Sequence, residues 1–159
     1  MIVSTRMASF NDIESLVKVR FDYFSAEKWE VSPEQHVIIE TSIRQYYLKY
    51  LNSDFFAALT EVDDIIASVA FLAISHIPAN FSFPTGKTGT IMNVLTYPEY
   101  RNKGYATSTM KLVIDEAKKQ CLSYIELSSS ESGKSLYKKL GFTESEPVIN
   151  FTKMKLSLL

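Results

Sequence analysis

Glycine is scarce in this chain. Of 159 residues only five are glycine, at positions 86, 89, 104, 133 and 141, and the first 85 positions contain none. Places where the backbone adopts positive φ freely, or lets a ligand approach without a Cβ in the way, are therefore confined to the second half. Cysteine is scarcer still. Cys121 stands alone, which excludes an intramolecular disulfide and any multi-cysteine metal site; its place at the end of a helical apolar stripe predicts a buried thiol. The two histidines, His36 and His76, lack ligand spacing, so a metal site is not expected and both are assigned to surface or packing. No window approaches the roughly 20 apolar residues of a membrane span, and the start, MIVSTRMASFND, has no signal-peptide core. Charge of either sign is not in excess: the net charge is −1, with no basic tail or stripe, which argues against nucleic acid as a partner. These absences leave a soluble, cytoplasmic protein, and the length fits one domain over 1–159 with its own core.

What is present reads as alternating strands and helices. Residues 2–5 suit a short strand. Ser9 and Asp12 resemble a capping box, followed at helical spacing by Ile13, Leu16, Val17, Phe21 and Phe24. Ser32-Pro33-Glu34-Gln35 is a second helix start, with Ser as N-cap and Pro at the first helical position; that helix should reach about Leu51. Residues 55–60 and 65–75 form an expected hairpin about the turn at Asp63-Asp64. A surface loop over 76–88 leads to a strand at 89–96, ended by Pro98. A helix over 105–120, a strand at 124–127, a short helix over 132–140 closed by Gly141, and a last strand or two within 148–157 complete the order. It predicts an α/β (α+β) protein with a mixed sheet covered by helices.

The stretch YPEYRNKGYATSTM, residues 97–110, places a lone glycine between a strand and a helix. A helix N-terminus offers unpaired N–H groups and a positive dipole end to an anion. Gly104 removes a Cβ there, Ala106 keeps the next turn small, and Arg101 and Lys103 add charge. These residues taken alone fit a phosphate site and a plain solvated turn equally well. The pattern is neither a mononucleotide P-loop, which needs Lys and Ser/Thr after the glycines, nor the G-x-G-x-x-G dinucleotide fingerprint.

A second stretch, SSESGKSLYKKLGF at 129–142, adds to the first. Together they resemble the GCN5-related N-acetyltransferase (GNAT) family. Arg101-Asn102-Lys103-Gly104-Tyr105-Ala106 matches that family's R/Q-x-x-G-x-G/A signature, and residues 130–142 are similar to its Asn-x-x-Ala-x-x-Leu-Tyr-x-x-x-Gly-Phe segment, with Tyr137, Gly141 and Phe142 in place. The resemblance implies a mixed, mostly antiparallel sheet with splayed parallel central strands and flanking helices. It implies acetyl-CoA as co-substrate, with no metal, bound between the strands at 89–96 and 124–127. By that similarity the backbone from Arg101 through Asn102, Lys103, Gly104 and Tyr105 to Ala106 holds the pyrophosphate. Leu95 and Thr96 pair with the pantetheine arm through main-chain groups, Thr107 contributes a hydroxyl, and Ser130 replaces the usual asparagine as a weaker contact. Gly133 stands where the family prefers alanine. The side chain of Tyr105 reads as packing or as surface on the adenine side.

Tyr137 is the catalytic residue the resemblance implies, giving a proton to the leaving thiolate. Transfer from a phenol of ordinary pKa near 10 to a thiol near 8.5 is uphill by roughly 2 kcal/mol before the site tunes it; packing against Phe142 is the other role open to it. A general base is missing where some family members carry a glutamate, because residues 88–96 (TGTIMNVLT) hold no carboxylate. Glu126 on the next strand is the substitute candidate, and a base acting through water or an acceptor of low pKa are the alternatives. For the acceptor, a primary amine of a small molecule or peptide, Phe24, Trp29 and Phe83 are nominated as pocket residues and Asn93 as a binding or orienting group. Aromatic residues at such spacing also suit the core. The resemblance leaves room for a homodimer, and a CoA-binding regulatory domain without catalysis is the competing reading.

Overall fold

Capping chemistry sets where the first helices begin. Strand β1, Val3–Met7, runs into a short 3-10 turn at Phe10–Asp12 and then helix α1, Ile13–Ala26. The Asp12 carboxylate accepts from Ser9 N–H at 2.7 Å, and Arg6 clasps both Asp12, at 2.8 and 2.9 Å, and Glu61, at 2.7 and 2.9 Å. Arg6 holds the Asp12 carboxyl well below its usual range, at about 2. Helix α2, Pro33–Tyr50, starts as its sequence requires: Gln35 N–H donates to Ser32 Oγ at 3.2 Å and Ser32 N–H to Gln35 Oε1 at 3.1 Å.

The structure, a computed structural model, describes residues 1–146 and 149–159, which fall into two units, Met1–Ser128 and Ser129–Leu159. The first unit contains a sheet of β1, β2 (Phe55–Val62), β3 (Ile65–His76), β4 (Lys87–Thr96) and β5 (Ile125–Glu126), in that spatial order. The first three pairings are antiparallel and β4–β5 is parallel. Both faces of β2 are buried, so it reads as an apolar run rather than an alternation. Phe55, Ala57 and Leu59 pack with Leu16, Val17 and Tyr47 from α1 and α2. On the other face, Thr60 and Val62 meet Thr109 and Tyr105 of helix α3, Tyr105–Lys119. Completely buried side chains such as Phe55, Phe71 and Leu59 each stabilise the fold by about 1.5–3 kcal/mol. The buried hydroxyls are satisfied in a chain. Thr109 Oγ1 donates to Tyr105 O at 2.8 Å, so Thr60 donates to Thr109 at 2.7 Å and Thr5 to Thr60 at 2.9 Å. Among the described residues, no helix is long and apolar enough to cross a membrane.

Two expectations from the sequence are corrected. Cys121 is exposed. Helix α3 stops at Lys119, and Cys121 takes the left-handed position after it, with φ +56° and its N–H on Lys118 O at 3.0 Å; that turn swings it off the buried stripe of Met110, Val113 and Ala117. The last strand within 148–157 is also not found among the described residues, Val148 itself lying outside them. Alternation makes a strand only where a neighbouring backbone pairs with it, and residues 149–159 have no such pairing among the described residues; Phe151, Met154 and Leu156 are exposed. The second unit holds a 3-10 turn at Glu131–Gly133 and helix α4, Lys134–Lys139.

Candidate functional site

Beyond Thr96, Pro98–Tyr100 makes a 3-10 turn and the chain reaches α3 through Arg101-Asn102-Lys103-Gly104. Asn102 has φ +60° and Gly104 φ +81°, with Arg101 at −68°, so the sign of φ alternates along the turn, an arrangement that gathers N–H groups into an anion-binding concavity. Gly104 is the N-cap of α3 and offers no side-chain cap, and the first turn of α3 contains no acidic residue. The first bond closing the helix is Ser108 N–H to Gly104 O, at 3.1 Å. The N–H groups of Tyr105, Ala106 and Thr107 therefore precede the intrahelical ladder and point out of its end. Helix α2 differs: Ser32 caps it and Glu34 occupies its first turn. A Cβ built on Gly104 meets nothing within 4 Å, so the space above the glycine is open.

Arg101 Nε is tethered to Thr96 O at 3.1 Å and Lys103 Nζ to Glu99 O at 3.2 Å. Both are exposed, and neither has an ion pair among the described residues. Tyr105 is buried against Val62, Ala67 and Tyr100, which is the packing role of the two roles expected for it. Thr107 and Ala106 are half-buried in the first turn.

Pairing of β5 to β4 is confined to Gly89↔Ile125 and Thr90↔Glu126. Beyond Thr90 the two strands part, and β4 runs on to Thr96. Leu95 lies in the core and Thr96 Oγ1 meets Ser68 Oγ at 2.9 Å; on β3 the two residues pair in register with Val69 and Ser68, and Thr96 O also accepts from Arg101 Nε. Gly89 makes the junction possible through packing: an added Cβ would lie 2.7 Å from Leu72 Cδ1, 2.8 Å from Leu122 Cδ1 and 2.9 Å from Ile125 Cγ2.

Midway along β4 the register with β3 shifts, so that Ala70 faces both Asn93 and Val94, a β-bulge. Asn93 sits there at φ +56°, 1% exposed. Its Nδ2 donates to Val19 O at 3.4 Å and its Oδ1 accepts from Arg20 Nη1 at 3.3 Å. Phe24 is buried and stacks on exposed Trp29 at 5.6 Å. No ring contact joins Phe83 to that pair among the described residues. Phe83 is held in its own loop by Asn80 Oδ1, which accepts its N–H at 3.1 Å. Glu126 is exposed on β5. His36 stacks on Phe21 at 4.1 Å and His76 meets Asp54 at 2.7 Å. Among the described residues no cluster of acidic, histidine or cysteine side chains is placed to hold a metal.

In the second unit Tyr137 is half-buried on α4 and meets Phe142 edge-on at 5.9 Å. Ser130 is exposed at the start of the Glu131–Gly133 turn, its hydroxyl 3.2 Å from that of Ser132. A Cβ on Gly133 would come within 3.0 Å of Tyr137 Cε2, 3.2 Å of Ser129 Oγ and 3.3 Å of Ser130 Oγ. Glycine in place of the family's alanine therefore lets the serines and the tyrosine ring crowd together.

The model of the acetyltransferase (GNAT) family matches residues 13–142, a span that includes both the glycine turn and Tyr137. The chain belongs to this family. Among curated proteins none matches it. Among solved structures, a GNAT-like fold is shared with a predicted acetyltransferase bound to acetyl-CoA from Clostridium acetobutylicum, at 26% identity and TM-score 0.82, covering 97% of this chain and 96% of that one. It is also shared with glucosamine-6-phosphate N-acetyltransferase from Arabidopsis thaliana, at 19% identity, TM-score 0.64 and coverage of 97% and 99%. An aminoglycoside N-acetyltransferase in complex with CoA resembles it at 15% identity, TM-score 0.70 and coverage of 96% and 95%. For this GNAT chain, sequence reasoning missed Arg20 and the bulge at Asn93. The only local signal was a cation within the aromatic run RFDYFSAEKWE.

Proposed function

We propose that this protein is an acetyl-CoA-dependent N-acetyltransferase, a single cytoplasmic domain over residues 1–159 that acetylates a primary amine of a small molecule or peptide. The observation that carries the reading is the uncapped N-terminus of α3, led by a glycine at positive φ with open space above it. It fits a pyrophosphate: the N–H groups of Tyr105, Ala106 and Thr107 precede the helical ladder, the dipole end is positive, and Arg101 and Lys103 face solvent beside it. By the resemblance to the family, the main chain at Leu95 and Thr96 meets the amide-bearing pantetheine arm, which would add to β4 like a strand, and Thr107 and Ser130 supply hydroxyls. Acetyl-CoA when bound supplies an activated thioester. Tyr137 holds at its phenolic oxygen the proton that the departing sulfur needs, a role that rests on the motif match over 130–142. No carboxylate stands on β4 to deprotonate the acceptor, which leaves Glu126, a base acting through water, or an acceptor of low pKa.

That same lack of a carboxylate favours one other reading, a CoA-binding domain without turnover. Release of free CoA thiol, measured with acetyl-CoA against a panel of amines, separates the two. Turnover on any amine supports the transferase. Saturable CoA binding with no turnover across the panel supports the regulatory domain.

A further inference from the structure

Of the four arginines, Arg6 is held by Asp12 and Glu61, Arg44 by Glu14 and Glu40, and Arg101 is exposed at the glycine turn. Arg20, on α1, is half-buried and has no carboxylate partner among the described residues. A guanidinium carries five N–H donors, and among the described residues only Nη1 has a hydrogen-bond partner, the neutral Asn93 Oδ1 at 3.3 Å. The rest of its surroundings are aromatic. Its Cζ lies 4.7 Å from the centre of the Phe24 ring, and the ionisable groups that act on it are the phenols of Tyr47 and Tyr23. Burial pushes the Arg20 guanidinium below its ordinary value, as expected for a cation withdrawn from water without a counter-charge. Asn93 is not a chance neighbour. It sits at the β4 bulge with its other amide atom fixed on Val19 O, so the guanidinium is held in one place with most of its donors unspent.

We propose that Arg20 anchors a carboxylate on the amine acceptor, so that the substrates are amino acids or peptide-like amines bearing a free carboxylate. The inference rests on the transferase reading given above and adds to it the class of acceptor. A planar guanidinium fork matches a carboxylate with two parallel hydrogen bonds. One positive charge neutralises one negative charge. The nearest cation along α1, Lys18, is already bound to Asp22 at 2.6 Å, so a phosphate dianion would be left half-neutralised. The Phe24–Trp29 stack gives an apolar wall beside the cation. Asn93, two residues before Leu95, ties Arg20 to the strand assigned to the donor. Asn93 is a positioning residue in this scheme.

The test pairs L-α-amino acids and ω-amino acids with their carboxamides, plus phosphoethanolamine, in the thiol-release assay on the full chain. The wild-type enzyme should use the acids and use the matching amides poorly. Arg20→Met should raise KM for the acids by about ten- to a hundredfold while leaving the amides, kcat and CoA binding unchanged, and Arg20→Lys should fall between. A purely structural Arg20 would instead depress acids and amides alike, together with the melting temperature, and that result overturns the anchor. Preference for amides or for phosphoethanolamine also overturns the anchor while leaving the transferase reading intact. Acetylation of no amine at all overturns both.

Discussion

Gly104 and Gly141 form a matched pair for testing the phosphate turn. Both have positive φ, +81° and +98°, and a Cβ on either meets nothing within 4 Å. Alanine at each site therefore suffers the same left-handed strain, about 1–2 kcal/mol, offset by about 0.4–1 kcal/mol from a less flexible unfolded chain. The net loss is about 1 kcal/mol, or a fall in Tm of about 2–4 °C for a chain of this size. Without ligand, Gly104→Ala and Gly141→Ala should be equally destabilised. With CoA they should part company. The methyl group of Gly104→Ala projects into the space where the pyrophosphate meets the helix end, and loss of even one charge-assisted N–H contact, about 1.5–3 kcal/mol, weakens binding at least tenfold. Isothermal titration and CoA-dependent melting on both variants measure this directly. Gly141→Ala should keep the wild-type affinity. Unchanged affinity in Gly104→Ala would refute the phosphate-turn assignment.

Tyr137→Phe should lower kcat by two orders of magnitude or so with CoA affinity retained; a wild-type rate would remove the phenol from the chemistry. Gly89→Ala forces a methyl group to within 2.7–2.9 Å of three side chains at the β4–β5 junction, so it should destabilise the fold by about 1–3 kcal/mol, read as a lowered melting temperature. Asp12 titrates at about 2 in the folded protein against a usual 3.8. Because its folded value is depressed, its contribution is complete above about pH 4–5 and fades as pH falls toward 2. Arg6 is partly open to solvent, so screening leaves about 1 kcal/mol of that contribution; Asp12→Asn should flatten this segment of the stability–pH curve. CoA should raise Tm far more than pantetheine does, since the helix end recognises the pyrophosphate that pantetheine lacks.

Local chemistry was legible without coordinates. The Ser32-Pro33-Gln35 cap, the Ser9–Asp12 reciprocal bond and the turn at Asp63-Asp64 depend on atoms a few residues apart, so their spelling suffices. The strand–glycine–helix turn at 96–105 belongs to the same class, because a positive φ and an uncapped helix end are properties of four or five consecutive residues. The tertiary structure decided what depends on distant partners. Arg20 becomes an isolated cation only because Asn93, 73 residues away, lies beside it and, among the described residues, no carboxylate does. Asn93 turns inward only because β4 bulges against Ala70. Gly89 is required by side chains of β3, β5 and the segment between α3 and β5, none of which its own neighbours reveal. The apolar alternation after residue 148 spells a strand, yet a strand is a relation between two backbones, and among the described residues the second is not there. Cys121 left its apolar stripe for a similar reason: one left-handed residue ends the period that placed it.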